Sequence, residues 1–406
     1  MRILFLSHYF PPEGNAPATR TFEHTRRWVV AGNDVTVITC APNVPHGRVY
    51  PNYKNSFFHK SVAQGINIIR VWTFIAANKG KGRRSFNYLS YLFSSIIAGL
   101  FISKPDILIA TSPQIFCGCA GAVLAKIRRV PFILEVRDIW PDSIMAVNAI
   151  QNTFVLNWML KVEQWLYRSA THIVTVGDGY KKILIQKGVI TKKISIITNG
   201  ANLEQFKHDQ TKCKNGHRLI CSFIGTLGMA SGLEIVIRAA THLDSIKDSA
   251  IEFMLVGDGA EYESLQEKVK KAGIKRIKFT GLLNKDQIRH QLSITDICLI
   301  HLRKSELFKT VIPSKLFEAM ASGVPVVMGV QGEAAGIVED SQCGLVFEPE
   351  NHLEFCDRIL QLKEDHSERT AMGKRGRTYL EKHYNRDDLA AQYLEVIENL
   401  QEKIGS

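Results

Sequence analysis

The sequence lacks what a metal, redox or secretory role would need. Its eight cysteines include no C-x-x-C pair and no Cys/His cluster with zinc spacing. Cys117 and Cys119 are two apart, and Cys40, Cys213, Cys221, Cys298, Cys343 and Cys356 are scattered, several inside apolar runs. Buried, reduced thiols are the plain reading, and they fit the cytosol. The opening MRILFLSHYFPP is too short an apolar run for a signal segment and ends in Ser7-His8 and a Pro-Pro turn, so it reads as a buried first strand. No helix-turn-helix pattern and no basic strand with interleaved aromatics occurs, so nucleic acid is not expected as a partner. Acid is in deficit, 39 Asp and Glu against 51 Lys and Arg, a formal charge of +12. That surplus suits an anionic partner, either a phospholipid surface or a phosphate-bearing substrate.

What is present is an α/β pattern told twice. At 406 residues the chain is long for one compact α/β unit, so two domains are expected. Strands are predicted at 2–6 (RILFL), 35–39, 68–72, 106–110, 132–136, 172–176 and 194–197, with a helix from about Ala18 to Ala31 closed by Gly32. The first strand runs into Pro11-Pro12-Glu13-Gly14-Asn15, a glycine-containing loop at a strand's carboxyl end, where open parallel sheets hold ligands. A polar, turn-rich stretch at 199–215 reads as a boundary. The pattern then restarts with a strand at 219–224, the loop GTLGMASG at 225–232 and a helix from Leu233. Strands follow at 251–256, 277–280, 296–300 and 324–328, and a helix at 286–293. Strands alternating with helices imply doubly wound parallel sheets. The expected division is 1–200 and 201–385, with a helical tail, 386–406, packing back on the first domain.

One segment stands apart. Residues 86–102 (FNYLSYLFSSIIAGLFI) carry no charge and follow Lys79, Lys81, Arg83 and Arg84. A membrane span would interrupt the first sheet, which leaves two readings open: a buried or partly buried helix, or a helix lying on an anionic membrane surface with a basic collar.

The richest stretch for chemistry is 313–325, PSKLFEAMASGVP. Ser314 can cap a helix with Lys315 in its first turn and Gly323 at its end. A helix N-terminus with a lysine suits a diphosphate, and Glu318, one turn in, suits ribose hydroxyls. An ordinary amphipathic helix with solvated Lys315 and Glu318 is the competing reading. Arg137-Asp138, at the carboxyl end of an apolar strand, lines a cleft or forms a structural salt bridge that holds its loop with Trp140. Gly14, Gly225 and Gly228 are turn formers or places where backbone approaches a ligand. Gly257-Asp258-Gly259 alone is a weak turn signal. His8, His172 and His301 are isolated and read as structural.

PSKLFEAMASGVPVV resembles the C-terminal signature of retaining glycosyltransferases of family 4, whose fold is GT-B: two Rossmann-like domains facing across a cleft. The resemblance runs over nearly the whole chain. It includes PPEGNAPATRTFEHTRRWVVAGNDVTVIT near the start, EVRDIWPDS at 135–143, TNGANLEQF at 198–206, FIGTLGMASGLE at 223–234, LVGDGAEYESL at 255–265 and FTGLL at 279–283. The R-D-x-W-P and P-S-K-x-F-E pair is similar to the subset that transfers N-acetyl-L-fucosamine and related deoxysugars in O-antigen and capsule assembly. The resemblance implies a nucleotide-sugar donor, preferably a UDP-sugar, on the second domain and a lipid-linked saccharide acceptor on the first. It also implies transfer with retention at the inner face of the plasma membrane. The donor set it suggests is Gly14, Gly225, Thr226, Gly228, Leu283, Lys309, Thr310, Ser314, Lys315 and Glu318, with Arg137, Asp138 and Lys315 catalytic.

The pattern departs from the family in three places. Thr310 stands where the first of two glutamates eight positions apart is common, Glu318 being the second. Thr226 and Ser231 stand where many members place Arg and Lys. A frequent histidine is replaced within Glu135-Val136-Arg137-Asp138. Lys315, helped by Lys309 or Arg137, is therefore inferred to supply the cation that a diphosphate leaving group needs. Asp-x-Asp, a divalent-metal signature in other transferases, does not occur, so no cofactor or metal is expected. Two other readings share the architecture: a sugar-nucleotide epimerase, for which Asp138 is the one candidate carboxylate, and a non-catalytic sugar-nucleotide-binding subunit, suggested by Thr310, Thr226 and Ser231.

Overall fold

The computed structural model describes residues 1–44, 47–75, 81–112, 114–146, 152–206, 218–246 and 250–405. Lys79, Cys213 and much of the expected linker lie outside these residues. The chain divides into two compact units, Met1–Thr198 with Arg386–Ser406, and Asn199–Asn385.

The first unit runs β1 (Arg2–Leu6), α1 (Ala16–Val30), β2 (Asp34–Cys40), β3 (Phe58–Ala63), β4 (Ile66–Val71), α2 (Lys81–Leu100), β5 (Ile107–Thr111) and α3 (Ile115–Arg128). It continues with β6 (Phe132–Val136), α4 (Asp142–Ala146), α5 (Thr153–Ser169), β7 (His172–Thr175), α6 (Asp178–Gln186) and β8 (Ile194–Ile196). The sheet order is β3-β4-β2-β1-β5-β6-β7-β8. All described pairings are parallel except β3 with β4. Central strands such as ILIAT and FILEV are buried along their length, as parallel strands covered on both faces must be. The sequence pattern did not predict β3. FHKSVA is mostly exposed and polar, and Gln64 and Gly65, both at positive φ, turn it into β4 as a hairpin.

α1 begins where Asn15 Oδ1 accepts the Ala18 N–H at 2.9 Å. It buries Trp28 against Phe5 and Tyr393. Tyr393 belongs to the tail helix, whose Leu389, Tyr393 and Ile397 enter the same core as Ile3, Val35 and Ile107. The Trp28 indole N–H donates to the Ala390 carbonyl at 3.0 Å and Arg27 pairs with Asp387, so polar contacts orient this docking.

α2, α3 and α5 lie in series over the sheet: α2 touches β2 and β4, α3 touches β5 and β6, and α3 packs between the other two. Gly99 allows α2 onto Leu124 of α3, and Gly118 of α3 faces Leu166 of α5. The uncharged segment is therefore a partly buried helix, one of the two readings its sequence allowed. Tyr88, Tyr91, Ser95 and Ala98 are buried, while Phe86, Phe93 and Ile97 face outward. α5 turns Phe154, Trp158 and Trp165 outward as well. Glu163 is the single acid in these three helices, and it is buried. Among the described residues no helix is long and apolar enough to cross a membrane.

The second unit runs β9 (Leu219–Ile224), α7 (Glu234–Ser245), β10 (Ile251–Val256), α8 (Tyr262–Lys271), β11 (Ile277–Gly281), α9 (Lys285–Ile294), β12 (Ile297–His301) and α10 (Ser314–Ala321). It ends with β13 (Val326–Gly329), α11 (Glu333–Ser341), β14 (Gly344–Val346), α12 (His352–Glu364) and α13 (His366–His383); α14 (Arg386–Gly405) is the tail of the first unit. Its sheet, β11-β10-β9-β12-β13-β14, is parallel throughout the described pairings. That is the 3-2-1-4-5-6 order of a Rossmann sheet, with its switch point between β9 and β12. Residues of β12 alternate between two cores: Ile297 and Leu299 on one face, Cys298 and Ile300 on the other.

Candidate functional site

The second unit concentrates its chemistry at the carboxyl ends of β9, β10 and β12. β9 ends in Phe223 and Ile224, and Gly225 follows at φ 144°. β10 ends in Val256, and Gly257 follows at φ 130°. The two turns lie backbone to backbone: a Cβ on Gly257 would stand 2.0 Å from the Gly225 carbonyl oxygen, and one on Gly259 2.4 Å from that of Leu227. The Gly225 N–H donates to Val256 O, the Leu227 N–H to Asp258 O, and the Glu261 N–H to Leu227 O. Gly257-Asp258-Gly259, a weak signal in sequence, is thus the half of an interlock that fixes the Gly225 turn. Gly228 and Gly14 have ordinary backbone and no close neighbour, so packing within the protein does not require glycine at either.

Lys315 comes in beneath this turn from α10. Its Nζ lies 3.4 Å from the centre of the Phe223 ring and 3.0 Å from where a Gly225 Cβ would stand. The ammonium therefore rests on an aromatic face beside free backbone. Burial lowers its pKa to about 8, against the opposing pull of Cys298 and Glu318. Ser314 does not cap α10 as expected. Pro313, with φ −64° and ψ 126°, takes the N-cap position, Ser314 is the first helical residue, and no side chain caps the end. The Leu316 N–H donates to Pro313 O at 3.0 Å, and the N–H groups of Ser314 and Lys315 before it receive no side-chain cap. Glu318 lies one turn further along the same helix.

The remaining donor candidates are held differently. Lys309 and Thr310 sit on a 3-10 turn, Leu307–Thr310. Lys309 Nζ is 2.7 Å from Glu306 in an exposed pair, and the Thr310 hydroxyl donates to Leu307 O. Lys309 is thus already paired, and Arg303, whose Nε donates to Met229 O at 2.7 Å, is a second cation on the same loop beside Lys315. Thr226 offers its carbonyl to the Ser231 hydroxyl, so Ser231 serves the loop itself. Leu283 packs beside Ile224 and Val256. His301 is structural, and its neighbours set its tautomer. The Glu350 N–H donates to Nε2 at 3.0 Å, so Nδ1 carries the proton to Ser231 O at 2.7 Å. Burial keeps its pKa low. A shallow groove lined by Val338, Gln342, Glu368 and Arg375 lies on other elements, and there Arg375 pairs with Glu368 at 2.6 Å.

Gly14, Arg137 and Asp138 belong to the first unit. The expected Arg137–Asp138 bridge is not what holds this loop. The Glu135 carboxylate, buried within FILEV, takes Arg20 Nε at 2.7 Å, and Tyr393 OH lies 3.5 Å from its other oxygen. Arg20 is further anchored on the carbonyls of Ile197 and Thr198. Arg137 approaches Glu135 only to 3.7 Å, and its Nε and Nη1 have no hydrogen-bond acceptor although its side chain is 7% exposed. Burial lowers its pKa to about 10. Burial also pushes Asp138 up to about 6, partly offset by Ser143, the Ile139 amide and Arg137. Arg20 and Glu135 were missed in the sequence, although a glutamate inside an apolar strand signals a buried ion pair. Among the described residues no group of His, Cys, Asp and Glu is placed to hold a metal ion.

Residues 18–205 match the family described as Glycosyltransferase Family 4, and residues 204–379 match Glycosyl transferases group 1. The Escherichia coli protein named "Putative colanic acid biosynthesis glycosyl transferase WcaI" is 24% identical over 337 residues, 80% of this chain and 82% of that protein. Sulfoquinovosyl transferase SQD2 of Arabidopsis thaliana is 24% identical over 304 residues, 71% of this chain and 56% of SQD2. Among solved structures, sucrose-phosphate synthase from Thermosynechococcus elongatus aligns with TM-score 0.78 at 15% identity over 98% of both chains. Anabaena HepE in complex with UDP and glucose aligns with TM-score 0.73 at 18% identity, over 98% of this chain and 99% of that one. At such identities the likeness is one of fold.

The depressed pKa of Lys315 has a sign that can be measured. Between about 8 and the ordinary 10.5 the unfolded chain binds more protons at this lysine than the folded one, so stability rises with pH across that window. Urea unfolding of the wild type should gain on Lys315→Met between pH 8 and 10.5. Parallel curves would show that Lys315 is not desolvated.

Proposed function

The chain belongs to the glycosyltransferases whose two halves are a family 4 domain and a group 1 domain, in the GT-B fold, and from that premise we propose its donor, acceptor and chemistry. The donor is a UDP-sugar, with a deoxy-acetamido sugar such as N-acetyl-L-fucosamine. The acceptor is a polyprenyl-diphosphate-linked saccharide in bacterial O-antigen or capsule synthesis. The observation that carries this reading is Lys315, seated between the Phe223 ring and the Gly225 turn at the N-terminus of α10. A desolvated ammonium at a helix N-terminus without a side-chain cap suits a diphosphate. Glu318, on the same helix, takes the ribose hydroxyls. The name of WcaI supports a bacterial surface polysaccharide.

The reaction proceeds with retention and without a metal. The bond between the anomeric carbon and the diphosphate oxygen breaks, and its electron pair leaves with UDP. The acceptor hydroxyl attacks from the same face, and its proton passes to an oxygen of the departing diphosphate. Lys315 stabilises the charge that develops there. Arg137 contributes a further positive charge, and Asp138 orients the acceptor hydroxyl.

The protein works at the cytoplasmic face of the plasma membrane, docked through the 79–102 region. The outward Phe86, Phe93 and Ile97, with Arg83 exposed nearby and no exposed acid on α2, α3 or α5, support an anionic lipid surface.

Nucleotide release from a panel of UDP- and GDP-sugars, with and without polyprenyl-diphosphate acceptors in phosphatidylglycerol vesicles, tests the reading. Release of UDP from one preferred donor, dependent on acceptor, is expected, and Glu318→Ala should weaken UDP binding. GDP release, or release without acceptor, would contradict it. Phe93→Glu with Ile97→Glu should lower turnover on vesicles while leaving that with a detergent-solubilised acceptor unchanged. Equal losses in both would remove α2 from the membrane surface.

A further inference from the structure

The loop that follows β9 keeps its backbone oxygens occupied: each carbonyl from Thr226 to Gly232 accepts a donor from the protein. The Ser231 hydroxyl donates to Thr226 O, the Glu261 N–H to Leu227 O, the Ser231 N–H to Gly228 O, and the Ile235 N–H to Gly232 O. The carbonyls of Met229, Ala230 and Ser231 all turn to the end of β12. Arg303 Nε donates to the first at 2.7 Å, the Arg303 N–H to the second at 2.9 Å, and His301 Nδ1 to the third at 2.7 Å.

Both side chains are fixed for this task. His301 is the last residue of β12 and is buried. Its ring lies parallel to that of Phe347, with 6.0 Å between centres and 4° between planes. Two glycines make room for it: a Cβ on Gly329 would stand 2.6 Å from the imidazole, and one on Gly232 3.2 Å. The Glu350 N–H donates to Nε2, which keeps the proton on Nδ1, facing Ser231 O. Arg303 lies over the same Gly232, where a Cβ would stand 3.0 Å from its Cγ, and its Nη2 is 3.7 Å from Glu261.

A planar trans peptide sends its C=O and its N–H to opposite sides. With the oxygens of Met229, Ala230 and Ser231 drawn to β12, the N–H groups of Ala230, Ser231 and Gly232 point away from it. Backbone that presents its N–H side attracts an anion, and backbone that presents its oxygens repels one. The loop GTLGMASG carries no charged side chain, so the way its peptides are turned decides how it receives a phosphate. We propose that His301 and Arg303 are positioning residues for the nucleotide: they hold the 229–231 turn by its oxygens, so that the loop beside Lys315 meets the diphosphate with its N–H side. They act through the loop and not on the reacting atoms. The inference rests on the donor site proposed above and adds the pair of residues that shapes its loop.

His301→Phe keeps a ring between the two glycines but loses both nitrogens, whereas His301→Gln keeps one donor and one acceptor. In the ligand-free, full-length protein His301→Phe should speed hydrogen exchange at the Ser231 and Glu350 amides. Calorimetry should then show UDP bound about tenfold more weakly, the worth of one or two hydrogen bonds. His301→Gln should recover most of both. Arg303→Met, at a partly exposed position that folding does not depend on, should speed exchange at Ser231 and weaken UDP binding about fivefold. Unchanged UDP affinity in His301→Phe or in Arg303→Met would overturn the proposal. So would a His301→Gln protein no better than His301→Phe, because His301 would then serve packing alone. Lys315→Met keeps the two claims apart. If it binds UDP as tightly as the wild type, the donor-site reading has failed; if it binds weakly while His301→Phe binds normally, the present proposal alone has failed.

Discussion

At the carboxyl edge of the second sheet, the Gly225 and Gly257 turns touch through bare backbone, with no room for even a methyl group between them. Much of the site depends on that contact. It holds the Gly225 turn in a left-handed conformation that a side chain would strain, and a Cβ there would stand 3.0 Å from the Lys315 ammonium. The Phe223 ring, at the end of β9, then supplies the surface on which that ammonium rests. A β-carbon at 257 would push the turn off its partner and take the lysine's seat with it. Close approach of backbone and placement of charge are here one constraint.

The two units treat charge in contrasting ways. In the second, Lys315 is desolvated, with Cys298 and Glu318 opposing, so its pKa falls only to about 8. In the first, Arg20 and Glu135 form a compact buried pair, and Arg137 beside them is left short of acceptors. Breaking a buried pair of this kind by removing one partner is typically worth about 3–5 kcal/mol. Neither Arg20 nor Glu135 can therefore be lost alone without cost, and Arg137 lies 3.7 Å from the same carboxylate. The tail helix takes part in that arrangement, since Tyr393 reaches Glu135 and Trp28 is sealed by Ala390.

Much of this was legible in the sequence because parallel strands buried on both faces announce themselves as unbroken apolar runs. ILIAT, FILEV and IEFMLV are such runs. β3 was not legible, because an exposed edge strand such as FHKSVA has no buried face to pattern it, and β14 is three residues long. Lys315 stood out by its place in a helix's first turn. Its support did not, because Phe223 and Gly225 reach it from the end of a strand far earlier in the chain. Ser314 misled, since a serine before a helix suggests a cap, while Pro313 had already taken that position. The hold that His301 and Arg303 have on Met229, Ala230 and Ser231 could not be read from sequence at all; which donor meets which carbonyl is a property of surroundings.

The central claim is that the glycine turns and Lys315 hold the nucleotide diphosphate. Hydrogen–deuterium exchange of the full-length protein with and without UDP tests it most directly. The account predicts slowed exchange at 225–228, 257–259 and 314–318, with none in the groove around Val338 and Arg375. Protection confined to that groove, or UDP binding that leaves the glycine turns exchanging as before, would contradict it.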